Sequence, residues 1–272
     1  MKDLLETARV AVRAATQLLA GARPEQLSSK TNPRDLVTEW DVRAEELIRR
    51  TLEERTPGVP ILGEEGGQTG EHSGLPGRSA RWIVDPIDGT VNFAHGLPIW
   101  SIVIAFEDAG ETTVGVIHAP RLGWWFEAAR GQGARDGDGP LRVSAIDRLE
   151  QSLLTTGFPY DRATHPVNNF AEWEHLQRRA GACRRLGCAS LDLCTVARGW
   201  TEGYWERRLK PWDIAAGALI VREAGGTVTD TTGGAFDPHA EEVCATNGAI
   251  HDQLVAELRH IRPDWRPDWR PG

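Results

Sequence analysis

Sulfur is scarce in this chain: its 272 residues include four cysteines and one methionine. Four thiols, at Cys183, Cys188, Cys194 and Cys244, are too few for a disulfide framework, and no secretory leader precedes them. Reduced thiols and a cytoplasmic location are therefore expected. A zinc site is disfavoured too, because no Cys/His pair follows Cys183 and Cys188 at ligand spacing. Basic runs are missing, and 31 Lys+Arg against 39 Asp+Glu leave a net charge of −8. Nucleic acid and anionic membranes are poor partners for such a surface. Long apolar runs are absent as well. The longest, IAAGALIV from Ile214 to Val221, is far short of the ~20 residues that a membrane span requires. The opening MKDLLETARVAVRAATQLLAGA is broken by Asp3, Glu6, Arg9 and Arg13, so it reads as an amphipathic helix rather than a leader. Nucleophilic hydrolase chemistry also lacks its usual signs: there is no G-x-S-x-G, and no histidine has a convincing Ser or Cys partner.

What the chain does have is a clear change of pattern. After the first helix, Val42, Leu47, Ile48 and Leu52 recur at helical spacing, with Asp41 standing where an N-cap is expected. The Gly-rich GEEGGQTGEHSGLPG follows, and then ARWIVD reads as a buried strand. IWSIVIAFE, TTVGVIHA and GWWFEAA have the spacing of an antiparallel meander, and GARDGDGPLRV that of a loop with a short hairpin. From Gln151 onward strands and helices alternate, with helices expected around Asn169–Arg179, from Ser190, and over Trp212–Glu223. Three parts are expected: residues 1–150 with helices and an antiparallel sheet, 151–262 as an α/β half, and the tail 263–272. The tail, in RPDWRPDWRPG, is too proline-rich for a regular element and is expected to fray.

The chemistry concentrates in DPIDGTVNF, Asp85 to Phe93. Short carboxylates at a strand end, held by a proline turn, can converge on one point, and convergent carboxylates repel unless a cation lies between them. All-oxygen ligands favour a hard ion, Mg²⁺ first. A capping role for Asp85 or Asp88 at the helix opened by Thr90 is the other reading of the same residues. Glu64 and Glu65, in ILGEEGG, form a second acidic pair, and Asp213 opens a later helix, where an acid is also favoured by the helix dipole. His95 reads as a loop residue.

GEE, DPIDGTVNF and WDIAAGALIVREAGG, in this order and at these separations, resemble the inositol monophosphatase family of Mg²⁺-dependent, lithium-sensitive phosphatases. DLVTEWD and RRLGCASLDLCTVARGWTEGYWERRLKPWD extend the resemblance, which runs from Leu4 to Ile261. It implies a five-layered αβαβα sandwich, of mixed α+β and α/β character, with the site in the cleft between its halves. The metal ligands it implies are Glu64, Asp85, the Ile87 carbonyl, Asp88 and Asp213, with Asp85 and Asp88 shared between ions. Two or three Mg²⁺ would bind, with Mn²⁺ as a substitute.

The same resemblance implies direct in-line hydrolysis by a metal-activated water that Glu64 and Thr90 orient, with Asp41 holding the Thr90 hydroxyl. Gly89 and Thr90 amides would bind the phosphate, and Asp88, Ala189 and Glu206 would contact the substrate, beside Cys188 and Ser190. Lys30 would lie in a loop near the metals. The substrate class implied is a small polyol or sugar phosphate monoester, inositol 1-phosphate foremost. Fructose 1,6-bisphosphate and histidinol phosphate are alternatives, and a non-catalytic regulatory member is a third. A phosphoadenosine phosphate is disfavoured, because enzymes for it resemble DGTKEF where this chain has DGTVNF. A homodimer is the family habit.

Overall fold

Strand period and helix period each find a buried face here, and together they stack into layers. The computed structural model describes residues 1–24, 27–69 and 80–261. The tail 263–272 lies outside the described residues, as does most of the Gly-rich loop. Helix α1 (Lys2–Leu19) buries Ala8, Ala11, Val12, Ala15 and Leu19, a single face at three- and four-residue spacing. A small antiparallel hairpin, β1 (Leu27–Ser29) and β2 (Leu36–Thr38), leads into α2 (Glu39–Arg55). The buried face of α2 is Asp41, Ala44, Glu45, Ile48 and Leu52. Val42, expected on that face, is 44% exposed, because the polar Asp41 and Glu45 take the inward positions instead.

The first large sheet is built from β3 (Ile61–Gly63), β4 (Gly67–Thr69), β5 (Ala80–Asp88), β6 (Ser101–Asp108), β7 (Glu111–Ala119), β8 (Trp124–Ala129), β9 (Ala134–Asp136) and β10 (Gly139–Pro140). The five-residue helix α3 (Thr90–Ala94) joins β5 to β6. The sheet order is β10-β9-β8-β7-β6-β5-β3-β4, antiparallel throughout except where β3 runs parallel to β5. The expected meander is therefore β6, β7 and β8.

The second half supplies β11 (Leu153–Thr156), α4 (Phe170–Gln177), β12 (Ala182–Arg184), α5 (Ala189–Ala197) and β13 (Gly203–Arg207). It ends with α6 (Pro211–Glu223), β14 (Thr227–Thr229), β15 (Glu242–Thr246) and α7 (His251–Ile261). Its sheet has the order β12-β11-β13-β15-β14, with β11 parallel to both neighbours and the other pairs antiparallel.

Side-chain alternation shows why both sheets are covered on two faces. Trp82, Val84, Ile102 and Ile104 pack with α1 and α2, whereas the intervening Ile83, Val103 and Ala105 pack with α5 and α6. In the second sheet Tyr204, Val243 and Ala245 face α5 and α6, while Trp205 and Cys244 face the outer pair α4 and α7. The result is the five-layered αβαβα sandwich. Close approach in the middle layer depends on small residues: a Cβ on Gly217 would lie 2.5 Å from Leu193 Cδ1, and one on Gly115 would lie 3.0 Å from the Ala216 backbone. Among the described residues, no helix is long and apolar enough to cross a membrane.

Candidate active site

Because β3 and β5 are parallel, their carboxyl-terminal ends lie side by side, which brings Glu64 next to Asp85. The Glu64 N–H donates to the Val84 carbonyl at 3.3 Å. Buried Glu45 then shapes the turn after β3, accepting from the Glu65 and Gly66 N–H groups at 2.7 Å each and from Arg49 Nε at 2.7 Å. The absent side chain at Gly63 leaves room for the Glu45 carboxylate, since a Cβ there would meet it at 2.5 Å. The Lys30 ammonium bridges Glu64 at 2.8 Å and Glu65 at 2.6 Å.

Residues three apart on a regular strand face opposite ways. Between Asp85 and Asp88 the β5–β6 register shifts, at the point where Pro86 can donate no ladder bond. This irregularity turns both carboxylates toward one cleft. Asp85 Oδ1 accepts from the Ile87 N–H at 2.9 Å, closing the turn. Neither aspartate caps α3. Its N-cap is Gly89, at φ +88°, with no side-chain bond. A Cβ there would lie 3.1 Å from the Ile99 carbonyl and 3.2 Å from that of Gly187.

Asp41 is not the N-cap of α2 either. Thr38 is, and Asp41 is the third helical residue of a capping box, with Oδ2 accepting the Thr38 N–H at 2.9 Å and its hydroxyl. The other oxygen, Oδ1, lies 3.0 Å from Thr90 Oγ1, and that hydroxyl also reaches the Ile87 carbonyl at 2.9 Å. Capping and Thr90 pairing are thus two functions of one carboxylate.

Helix α6 delivers Asp213 at its third position, where Oδ2 accepts from the Lys210 N–H at 2.6 Å. One carboxylate oxygen each from Asp85, Asp88 and Asp213 lie within 4.8 Å of one another. Glu64 lies outside that trio, at its edge, held by Lys30. Burial, and then the charges of Glu64, Asp88 and Asp213, push the Asp85 carboxyl well above its ordinary range. Asp213 is raised well above its ordinary range by burial, then by Asp88 and Glu64. Asp88 is raised by burial against opposing hydrogen bonds from Ser190 and Cys188. Glu64 is raised by burial against the opposing Lys30 charge. A mutually repelling, all-oxygen donor set, half of it fully buried, fits a hard divalent cation, which would remove the repulsion that raises these groups.

The cleft continues as a cavity of about 330 Å³ that runs from Lys30 and the carboxylates to Gly157, Ala189, Asp192 and Glu206. Glu206 is pushed up to about 7 by burial, and its Oε2 accepts from the Tyr204 hydroxyl at 2.7 Å. Ala189 opens α5 beside Cys188. His95 is a loop residue after α3, its Nδ1 2.9 Å from the Val91 carbonyl. Cys183 and Cys188 pack into different core clusters.

Several residues of the site escape sequence reasoning. Asp192 lines the cavity, is 1% exposed, and has an Oδ1 without a hydrogen-bond partner among the described residues. Ser101, Glu45 and Arg185 were also missed. Their one available signal was Glu45 and Asp192 as acids in otherwise buried helical faces.

An αβαβα sandwich whose strand ends and middle-layer helix gather two buried carboxylates, Asp85 and Asp88, and two half-buried ones, Glu64 and Asp213, in one cleft has the build of a class: the metal-dependent phosphatases of this architecture. The chain belongs to the inositol monophosphatase family, whose model matches residues 1–262. It is 40% identical over 267 residues to the inositol-1-monophosphatase of Synechocystis sp., covering 97% of this chain and 91% of the relative. It is equally 40% identical, over 239 residues, to the Nus factor SuhB of Pasteurella multocida, covering 86% of this chain and 87% of that one. The structure of inositol monophosphatase from Anabaena (Nostoc) sp. superposes with a TM-score of 0.87 at 36% identity, covering 97% of this chain and 98% of the other.

Proposed function

We propose that this protein is a Mg²⁺-dependent phosphomonoesterase for a small polyol or sugar phosphate, with inositol 1-phosphate as its foremost substrate. The observation that carries the reading is the trio Asp85, Asp88 and Asp213, with oxygens within 4.8 Å, beside Glu64. These residues, with the Ile87 carbonyl, would hold the ions. Bound there, Mg²⁺ supplies Lewis-acid polarisation of the phosphate and charge neutralisation at the attacking and leaving oxygens.

The remaining roles belong to the chain. Glu64 and the Thr90 hydroxyl orient the attacking water, and Asp41, anchored by Thr38, holds that hydroxyl in place. The amides of Gly89 and Thr90 bind phosphate oxygens, and the absent Cβ at Gly89 lets the backbone come close. Water adds to phosphorus in line as the P–O bond to the alcohol breaks, giving inorganic phosphate and the free polyol. Glu206 and the Ala189 backbone accept and donate hydrogen bonds to the polyol hydroxyls, and Asp88 lies between polyol and phosphate. A homodimer, lithium sensitivity and a cytoplasmic location belong to the proposal through family resemblance.

Phosphate release from inositol 1-phosphate, fructose 1,6-bisphosphate, histidinol phosphate and simple alkyl phosphates, with and without Mg²⁺, tests this reading. Turnover of inositol 1-phosphate with the highest kcat/KM is expected; no turnover of any member at high enzyme would overturn it. The second reading, a regulatory role, is supported by the name of the Nus factor SuhB relative. The filled acidic positions favour catalysis over that reading alone.

A further inference from the structure

Donors from the start of α5 crowd one oxygen of Asp88. Its Oδ2 accepts three donors: the Ser190 N–H at 2.7 Å, the Ser190 hydroxyl, and the Cys188 thiol at 3.1 Å. The Ser190 hydroxyl has a single proton, and the carboxylate claims it. Ser190 Oγ therefore accepts from Ser101 Oγ, 2.7 Å away, so the chain of donors runs Ser101 to Ser190 to Asp88. Ser101 and Ser190 are both completely buried, and Ser101 is the residue opposite Asp88 in the β5–β6 register. The three side chains tie the end of β5, the start of β6 and the first turn of α5 to one carboxylate oxygen.

An oxygen already accepting three hydrogen bonds has no lone pair to spare for a cation. We propose that Ser101 and Ser190 are positioning residues that confine Asp88 to single-oxygen ligation through Oδ1, and that this confinement favours Mg²⁺ over Ca²⁺ at the site. The inference rests on the reading of Asp88 as a metal ligand. Mg²⁺ demands near-octahedral geometry and few carboxylate oxygens, whereas Ca²⁺ accepts six to eight ligands and readily takes a carboxylate through both oxygens. Without the Ser190 hydroxyl, Oδ2 keeps only the Ser190 N–H and the Cys188 thiol, a weak donor, so a lone pair comes free for the two-oxygen mode, which suits the larger ion. Partners of ligating carboxylates commonly change metal affinity by about 10–100-fold.

The test is direct binding of Mg²⁺ and of Ca²⁺ by calorimetry to the full chain, for wild type, Ser190→Ala and Ser101→Ala, with circular dichroism as a folding check. Ser190→Ala is expected to weaken Mg²⁺ binding by about 10-fold or more and to change Ca²⁺ binding by less than about 3-fold, lowering the selectivity ratio. Ser101→Ala leaves every donor to Asp88 in place and is expected to move the ratio the same way by a smaller factor. It also supplies the readout if Ser190→Ala does not fold. An unchanged Mg²⁺/Ca²⁺ ratio in the folded variants overturns the inference, as does an equal loss for both ions. Failure of the wild type to bind Mg²⁺ at all would instead overturn the metal reading of the site.

Discussion

Replacing Asp213 by Asn should stabilise the protein without divalent cations while disabling the site. Asparagine preserves the acceptor that receives the Lys210 N–H at 2.6 Å, so the change removes charge and little else. Two unit charges 4.8 Å apart, the outer separation within the acidic trio, repel by about 3.5 kcal/mol at an effective dielectric of about 20. The metal-free site relieves part of this by holding protons, so a realised gain of about 1–3 kcal/mol is expected. The opposing loss of an acid at a helix N-terminus is about 0.3–1 kcal/mol, too small to reverse the sign.

Net of that loss the gain is about 0–2.7 kcal/mol, and at about 2–4 °C per kcal/mol for a chain of this size Tm in EDTA near neutral pH should rise by up to about 11 °C. The pH dependence follows from the direction of the shift. The folded carboxyl titrates above its unfolded value, so wild-type stability falls as pH rises from the ordinary Asp range, about 4, through the raised folded value. Asp213→Asn should flatten that decline. Saturating Mg²⁺ should restore the usual order, since ligand at 100 times Kd contributes about 2.7 kcal/mol to whichever protein binds it. Thermal scans of both proteins in EDTA and in Mg²⁺, over a pH series, decide the matter. An Asn variant less stable than wild type in EDTA would refute the repulsion argument.

Other perturbations separate function from packing. Asp88→Asn should lower turnover by orders of magnitude with the fold intact, measured as phosphate release alongside circular dichroism. Gly89→Ala forces a side chain to φ +88° against two carbonyl oxygens, and should cost at least about 1–2 kcal/mol in chemical denaturation and reduce phosphate release. Glu127 joins α1 to the sheet, taking Arg9 Nε at 2.8 Å and the Trp125 indole at 2.9 Å. Burial alone would raise this carboxyl, but the bonds from Arg9 and Trp125 outweigh it and hold it below its usual range. Glu127→Gln should cost about 1 kcal/mol above the ordinary Glu pKa of about 4.3, with the gap to wild type closing as pH falls through the depressed value.

Much of this arrangement was legible because it is local. DPIDGTVNF holds Asp85, Ile87, Asp88, Gly89 and Thr90 in one stretch, and the meander and helices announced themselves by period. What stayed hidden depends on the third dimension. Asp41 read as a cap by its place at a helix start, and its pairing with Thr90 came from the family resemblance alone; that Thr38 is the cap and Asp41 its capping-box partner shows only in three dimensions. Val42 fitted the apolar period of α2, yet Asp41 and Glu45 took the inward face because the Glu64 turn and Thr90 required their acceptors. Ser101 and Ser190 lie 89 positions apart and meet only because β5, β6 and α5 converge.

The most direct measurement is the rate of inorganic phosphate release from inositol 1-phosphate as Mg²⁺ is titrated into metal-stripped enzyme, run in ¹⁸O-labelled water. Saturable dependence on Mg²⁺, reversal by EDTA, and one solvent oxygen in each phosphate released are the results predicted for direct hydrolysis at the acidic trio. Phosphate release that is indifferent to Mg²⁺, or that carries no solvent oxygen, would contradict it.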